Sequence, residues 1–366
     1  MLPGIISPHP FTDKEILIME KYFYCAANAI REEGGGIQIF SSENMEADDF
    51  PVMVSFIPME RPSYMAFSRD RRFFYVVGAE KDRNGYAAVF AVEEEGKVLR
   101  FLAKAATKGI SSCHLTTSPD DEFLYCANYV TGTCTEFKLK DGIFEGEGRV
   151  IEDKGVLGPA KPRQEHAHAH CTVFTPDGKY LCVVDLGTDS VFLYSYTPGK
   201  GIDSTPSFEY KETPGEGPRH LVFAKDGIHA YLLNELGNTL STLIYKDGTL
   251  VRTANISTIP SDFKRFSKAS AIRFSPDEKL LIATNRGHES FACFEVKEDH
   301  TPVLREIIPS CGSSPRDMNF LPGGTMIGVC HEFTHQTVFF PYDAEKMEVG
   351  ALRTVRSCPG SLCLIF

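Results

Sequence analysis

A short turn that recurs along the chain constrains the fold more than any other feature. SRD, SPD, TPD, AKD, SPD and LPG end at Asp70, Asp120, Asp177, Asp226, Asp277 and Gly323, at intervals of 50, 57, 49, 51 and 46 residues. Each turn separates two apolar strands, as in CTVF–TPDGK–YLCVV and AIRF–SPDEK–LLIAT. Val, Ile, Phe and Tyr suit a pleated, half-buried surface, and Pro, Asp and Gly supply the turn. A third strand follows (AAVFAVE, VFLYSYT, FACFEVK, TVFFPYD), then a more polar fourth. Four strands in a unit of about 45–50 residues make a propeller blade.

Six complete units leave a remnant at each end. KYFYCAAN, GIQIFSSE and FPVMVSFI read as strands two, three and four without a first, and PGSLCLIF reads as a first strand with nothing after it. Joined, they make a seventh blade, and the ring then has no exposed edge strands. The expected fold is all-β: one seven-bladed β-propeller over residues 1–366, with four antiparallel strands per blade. Such a length exceeds one ordinary core, but repeats that pack only on their neighbours escape that limit. There is no tryptophan, so the WD signature is absent, and kelch-type glycine pairs are missing. Six evenly spaced repeats also argue against a β-sandwich. The one notable insertion covers residues 150–168.

The net charge of −11 speaks against nucleic acid or an anionic membrane as a partner. A small anion is still compatible, provided basic side chains gather in one place. The 11 cysteines include several in apolar runs (Cys25, Cys126, Cys182, Cys293), and no CxxC pair occurs. Thiols used as small hydrophobes fit a reducing compartment. Asp13, Lys14, Glu15 and Glu20 do not make an export signal, and no apolar run approaches membrane-spanning length. The expected location is the cytoplasm.

Blade geometry filters the polar residues. The start of a blade's innermost strand and the end of its second lie on one face of the disc, beside the channel. Seven residues before each turn anchor stand Ser63, Cys113, His170, Arg219, Ser270 and Arg316; nine after it stand Ala79, Tyr129, Leu186, Glu235, Arg286 and Glu332. His170, Arg219, Glu235, Arg286, Arg316 and Glu332 thus share half of one rim. The turn face carries only ordinary turn residues. This asymmetry points to one polar site near the axis. Strand alternation would aim His220, next to Arg219, away from it. Eight residues after the anchors, Asn128, Asn234 and Asn285 are expected to satisfy backbone groups where strand two ends.

No GxSxG elbow, Walker loop or dinucleotide fingerprint occurs in the right context. Histidine, glutamate and arginines suit proton transfer on an anionic small molecule, with arginine holding carboxylate or phosphate and stabilising an oxyanion. Alone, a histidine in a β protein is more often structural, and an arginine at a strand entrance is ordinarily solvated. The HAHAH run (His166, His168, His170) has the alternation to chelate a metal, but no nearby Asp or Cys completes a set of standard spacing. No metal and no cofactor are therefore assigned.

QEHAHAHCTVFTPDGKYLCVVDLGTD, GEGPRHLVFAKDGIHAYLLNEL, SAIRFSPDEKLLIATNRG and SPRDMNF resemble the lactonase family of seven-bladed propellers, over essentially the whole chain. That family includes bacterial 6-phosphogluconolactonase of the propeller type and fungal carboxymuconate cyclase. The resemblance implies catalytic roles for His170, Arg219 and Glu235 and substrate binding by Arg286; Arg316 and His168 are added as substrate-binding candidates. Where relatives have proline before HAH, this chain has Ala167 preceded by His166. The implied activity is metal-independent opening of a lactone, with 6-phosphogluconolactone as substrate because the QE–HAH segment looks like the bacterial branch. His170 would activate water, and Glu235 would orient a base or protonate the leaving alkoxide. Muconate cyclisation would use the same groups on another anion. A non-catalytic propeller that binds a ligand or protein would instead spread polar residues over both faces or show an apolar rim patch.

Overall fold

The computed structural model describes residues 21–366 apart from Glu46 and Asp153, so the reading of the first twenty residues lies outside the described residues. Seven antiparallel sheets form the ring. Their innermost strands are, in blade order, Ser361–Ile365, Pro62–Phe67, Ser112–Thr117, Ala169–Phe174, Pro218–Phe223, Lys268–Phe274 and Pro315–Phe320. Each pairs with a second strand: Tyr22–Ala27, Phe73–Ala79, Phe123–Asn128, Tyr180–Asp185, His229–Asn234, Leu280–Arg286 and Met326–His331. In blade 1 the C-terminal strand lies against Tyr22–Ala27, with Tyr24 opposite Ile365 and Ala26 opposite Cys363. The chain thus closes the ring by lending its last strand to its first blade.

The recurring turn has a side-chain cause. Ser68 Oγ donates to Asp70 Oδ1 (2.7 Å) and accepts from the Phe73 amide (3.0 Å), while Asp70 Oδ1 accepts from the Arg72 amide (3.0 Å). Thr175–Asp177 and Ser275–Asp277 repeat the bond at 2.7 Å. Three backbone or hydroxyl donors are thereby satisfied without strand partners, which is what an Asx-type turn needs. Blade 5 has Ala224 in place of the hydroxyl residue, and there Asp226 Oδ1 still accepts from the Ile228 and His229 amides.

The core lies between blades. Phe123, Tyr125, Ala127 and Cys134 of blade 3 pack on Leu181, Val183, Phe192 and Tyr194 of blade 4, all buried, and equivalent clusters fill the other junctions. Cys25, Cys126, Cys182 and Cys293 are buried thiols within this packing. The asparagines ending the second strands reach chiefly to hydroxyls of the third strand, not to backbone. Asn128 Nδ2 donates to Thr133 and Thr135 (3.1 and 2.9 Å), and Asn234 Nδ2 to Thr239 and Ser241 (3.0 and 3.2 Å). Only Asn285 donates to a carbonyl, that of Thr258 (2.9 Å).

Candidate active site

One irregularity, repeated in every blade, builds the site. Near the start of each innermost strand the register slips by one residue. The extra residue is Leu362, Ser63, Cys113, His170, Arg219, one of Ser270–Ala271, and Arg316, in blade order. A β-bulge breaks alternation and re-aims its side chain. Here it aims the first residues of the innermost strands at the axis. They surround a cavity of about 540 Å³ whose lining includes His170, Arg219, Glu235, Arg286, Arg316 and Glu332 together. Its floor includes Tyr64 and His220, which also line a second cavity of about 440 Å³ beyond.

Glu235 is the hub. Its Oε1 accepts from Arg163 Nη2 (2.7 Å), and its Oε2 from Arg219 Nε (3.0 Å) and Arg286 Nη2 (2.7 Å). The carboxylate is 2% exposed. Burial alone would raise its pKa, but the guanidiniums of Arg286, Arg219 and Arg163 hold it well below the usual carboxylate range. Glu235 is thus ionised and cannot protonate a leaving group near neutral pH.

Each arginine is held by further bonds. Arg219 Nη1 donates to the Ser270 carbonyl and to His220 Nε2 (3.0 Å), while its Nη2 takes part in neither these bonds nor the Glu235 contact. Arg286 Nη2 reaches the Ala269 carbonyl (2.8 Å), and Arg163 Nη2 the Tyr129 hydroxyl (2.8 Å). Arg316 is looser: its Nη1 stands 3.7 Å from Glu332 Oε2, with both side chains partly exposed. In all, seven basic and three acidic side chains line the cavity of a chain that carries a net −11.

His170 is 3% exposed, and burial and the nearby Arg219 charge push its pKa well below the ordinary imidazole value. It is therefore held in the neutral form. Its Nδ1 lies 3.9 Å from Cys113 Sγ. Burial pushes the Cys113 thiol up to about 12, so it stays protonated and is a poor nucleophile.

Two expectations need correction. His168 does not line the cavity: its ring stacks on Tyr129 (centroids 4.4 Å, 19°), and its Nδ1 bonds the Tyr129 carbonyl (2.9 Å). His168 precedes the strand and packs against Tyr129, and the bulge then turns His170 inward. His220, in turn, is not aimed away, because the bulge at Arg219 brings both neighbours to the axis side. Its ring meets those of His114 and His170, each at 5.5 Å, edge to face.

Arg163 and Lys268 were not foreseen. Arg163 lies in the insertion, outside the repeat, and is positioned by its buried neighbour Gln164. Gln164 Nε2 donates to the Leu186 carbonyl (2.8 Å) and Asp189 Oδ1 (2.7 Å). The insertion was the available signal. Lys268 faces Arg286 across the first pair of blade 6. Burial and the Arg286 charge lower its pKa to about 8.

A closed ring of seven blades with a basic, carboxylate-anchored cavity on its axis defines a propeller suited to a small anionic ligand. The chain belongs to the family described as "Lactonase, 7-bladed beta-propeller", whose model matches residues 24–366. The 6-phosphogluconolactonase of Bacillus subtilis is 31% identical over 83% of this chain and 87% of its own length. A Staphylococcus saprophyticus protein is 30% identical over 92% of this chain and 96% of its own. The solved structure of the periplasmic gluconolactonase PpgL of Pseudomonas aeruginosa superposes with a TM-score of 0.86 at 25% identity, covering 94% of this chain and 98% of that one.

Proposed function

We propose that the axial cavity hydrolyses a phosphorylated sugar lactone, 6-phosphogluconolactone, in the cytoplasm. The observation that carries this reading is the excess of basic groups around a neutral, buried histidine. Two kinds of cationic group are present, and they suit two ends of one substrate. Arg219 is rigid, buried and tied to Glu235, the arrangement needed to meet charge that develops in the transition state. Arg316 and Lys268 are less enclosed and suit a phosphate. A volume of about 540 Å³ lies within the ~300–1,000 Å³ usual for small-molecule sites.

In the proposed reaction His170 takes a proton from water as its oxygen bonds to the lactone carbonyl carbon. Arg219 receives the tetrahedral oxyanion. The ring C–O bond then breaks, and the His170 imidazolium returns the proton to the leaving alkoxide. Glu235 is a positioning residue that fixes Arg163, Arg219 and Arg286. The phosphorylated substrate is favoured by the resemblance to the Bacillus subtilis enzyme and by the surplus of basic groups, more than one carboxylate would need. The test measures hydrolysis of 6-phosphogluconolactone and of the unphosphorylated lactone, each corrected for spontaneous opening. His170→Ala should lower kcat by about 10²–10⁴-fold. Equal kcat/KM on both lactones would overturn the phosphate assignment; an unaffected His170→Ala variant would overturn the base.

A further inference from the structure

We propose that Glu165, His166 and His168 form a binding site for a divalent transition metal of the zinc type, separate from the axial cavity. Their ligating atoms lie within 4.8 Å of one another. Sequence spacing hid the set, because the carboxylate that completes it is the residue immediately before His166. None of the three lines the cavity.

Hydrogen bonding shows which ring atoms face the centre. His166 Nδ1 lies 2.8 Å from the Ala167 carbonyl oxygen, and His168 Nδ1 lies 2.9 Å from that of Tyr129. A carbonyl only accepts, so both Nδ1 atoms carry the proton and a neutral ring presents its Nε2 lone pair. Each Nε2 stands 3.6 Å from Glu165 Oε1. That is too long for a hydrogen bond. It is close to the roughly 3.3–3.5 Å between two tetrahedral ligands whose bonds to zinc are each about 2.0–2.1 Å. His168 is 3% exposed, and among the described residues its Nε2 has no hydrogen-bond partner. Two lone pairs and a carboxylate oxygen therefore converge with no donor among the described residues between them, an arrangement that a cation at the centre would stabilise.

The support around these ligands also fits. Imidazole ligands that donate their second N–H to a backbone carbonyl have their tautomer and orientation set for a metal. The His168 ring is further held by its stack on Tyr129. Backbone at His166 is fixed by close approach, since a Cβ on Gly187 would fall 1.9 Å from the His166 carbonyl oxygen. Glu165 and His166 are about half exposed, which gives an ion a path in and leaves room for water as a fourth ligand. An ion there would brace the stretch between Arg163 and His170, two residues that line the cavity.

The test strips the full-length protein with a chelator, titrates it with zinc by calorimetry, and counts bound zinc by mass spectrometry. One zinc per chain is expected. Glu165→Gln and His166→Ala, both at exposed positions, should each weaken binding by about 100-fold or more, beyond the ~10–100-fold that outer-shell changes cost. His168→Phe keeps the stack on Tyr129 and should do the same. Melting of each metal-free variant checks that the fold is intact. A second His/Asp group, Asp226, His229 and His300, lies on blades 5 and 6 and supplies the control through His300→Ala. Zinc binding that survives Glu165→Gln and His166→Ala, that is lost only in His300→Ala, or that is absent from the parent overturns the assignment.

Discussion

Replacing Glu235 by Gln keeps the shape of the cavity's hub and removes its charge. At an effective dielectric of about 20, each close ion pair contributes roughly 4 kcal/mol, so three guanidiniums lose about 12 kcal/mol of attraction. Arg163 is a third exposed, so its share is discounted for solvent screening. Against the loss stands the several kcal/mol that burying the carboxylate cost in the first place. The remainder falls near the ~3–5 kcal/mol typical of removing one partner from a buried ion pair. Unfolding entropy for a chain of this length is roughly 0.8 kcal/mol/K, so Tm should fall by about 4–6 °C. The pH dependence has a definite sign. The folded carboxylate has a depressed pKa, so its contribution is full above the unfolded value near 4.3 and is lost as pH falls through the folded value. The gap in Tm between the two proteins should therefore be complete at pH 7 and narrow below about pH 4.5. Calorimetry at several pH values measures it. With one negative charge gone, inorganic phosphate should bind about 3–10-fold tighter at low salt, while kcat falls because the guanidiniums lose their fixed geometry. A Glu235→Gln protein that melts within about 1 °C of the parent at pH 7, or a gap that does not change with pH, would refute the reasoning.

Arg219→Ala should lower kcat by about 10²–10³-fold, as loss of an oxyanion donor does, whereas Arg316→Ala should act mainly on KM; steady-state kinetics separates the two. Lys268 loses its charge at about pH 8, so KM for an anionic substrate should rise as pH passes that value, and Lys268→Met should abolish the rise. His220 accepts a hydrogen bond from Arg219, so His220→Phe should reduce kcat by less than Arg219→Ala while leaving KM near its original value. Deleting residues 359–366 removes the strand that pairs with Tyr22–Ala27 and should abolish cooperative melting; a truncated protein with an unchanged thermal transition would disprove ring closure as the source of stability.

What the sequence determined by itself is what repeats locally. The Ser/Thr–x–Asp turns are set by bonds within a few residues, such as Ser68 to Asp70, so they show in the chain before any packing is known. Counting residues from those turns placed His170, Arg219, Glu235, Arg286, Arg316 and Glu332 on one face of the disc, and all six line one cavity. The missing first strand and the spare last one likewise told how the ring closes. Direction of side chains was decided elsewhere. Strand alternation is a local rule, but each bulge suspends it, and a bulge arises from register against the neighbouring strand; that is why His220 turned inward. His168 sits behind Tyr129 for a similar reason: the ring that covers it comes from another blade. Arg163 belongs to no repeat, and only the folded insertion, anchored through Gln164, brings it onto Glu235. The state of Glu235 was the least legible of all. Its charge depends on three arginines contributed by the insertion and two blades, and only their convergence in tertiary structure makes it a fixed anion instead of an acid.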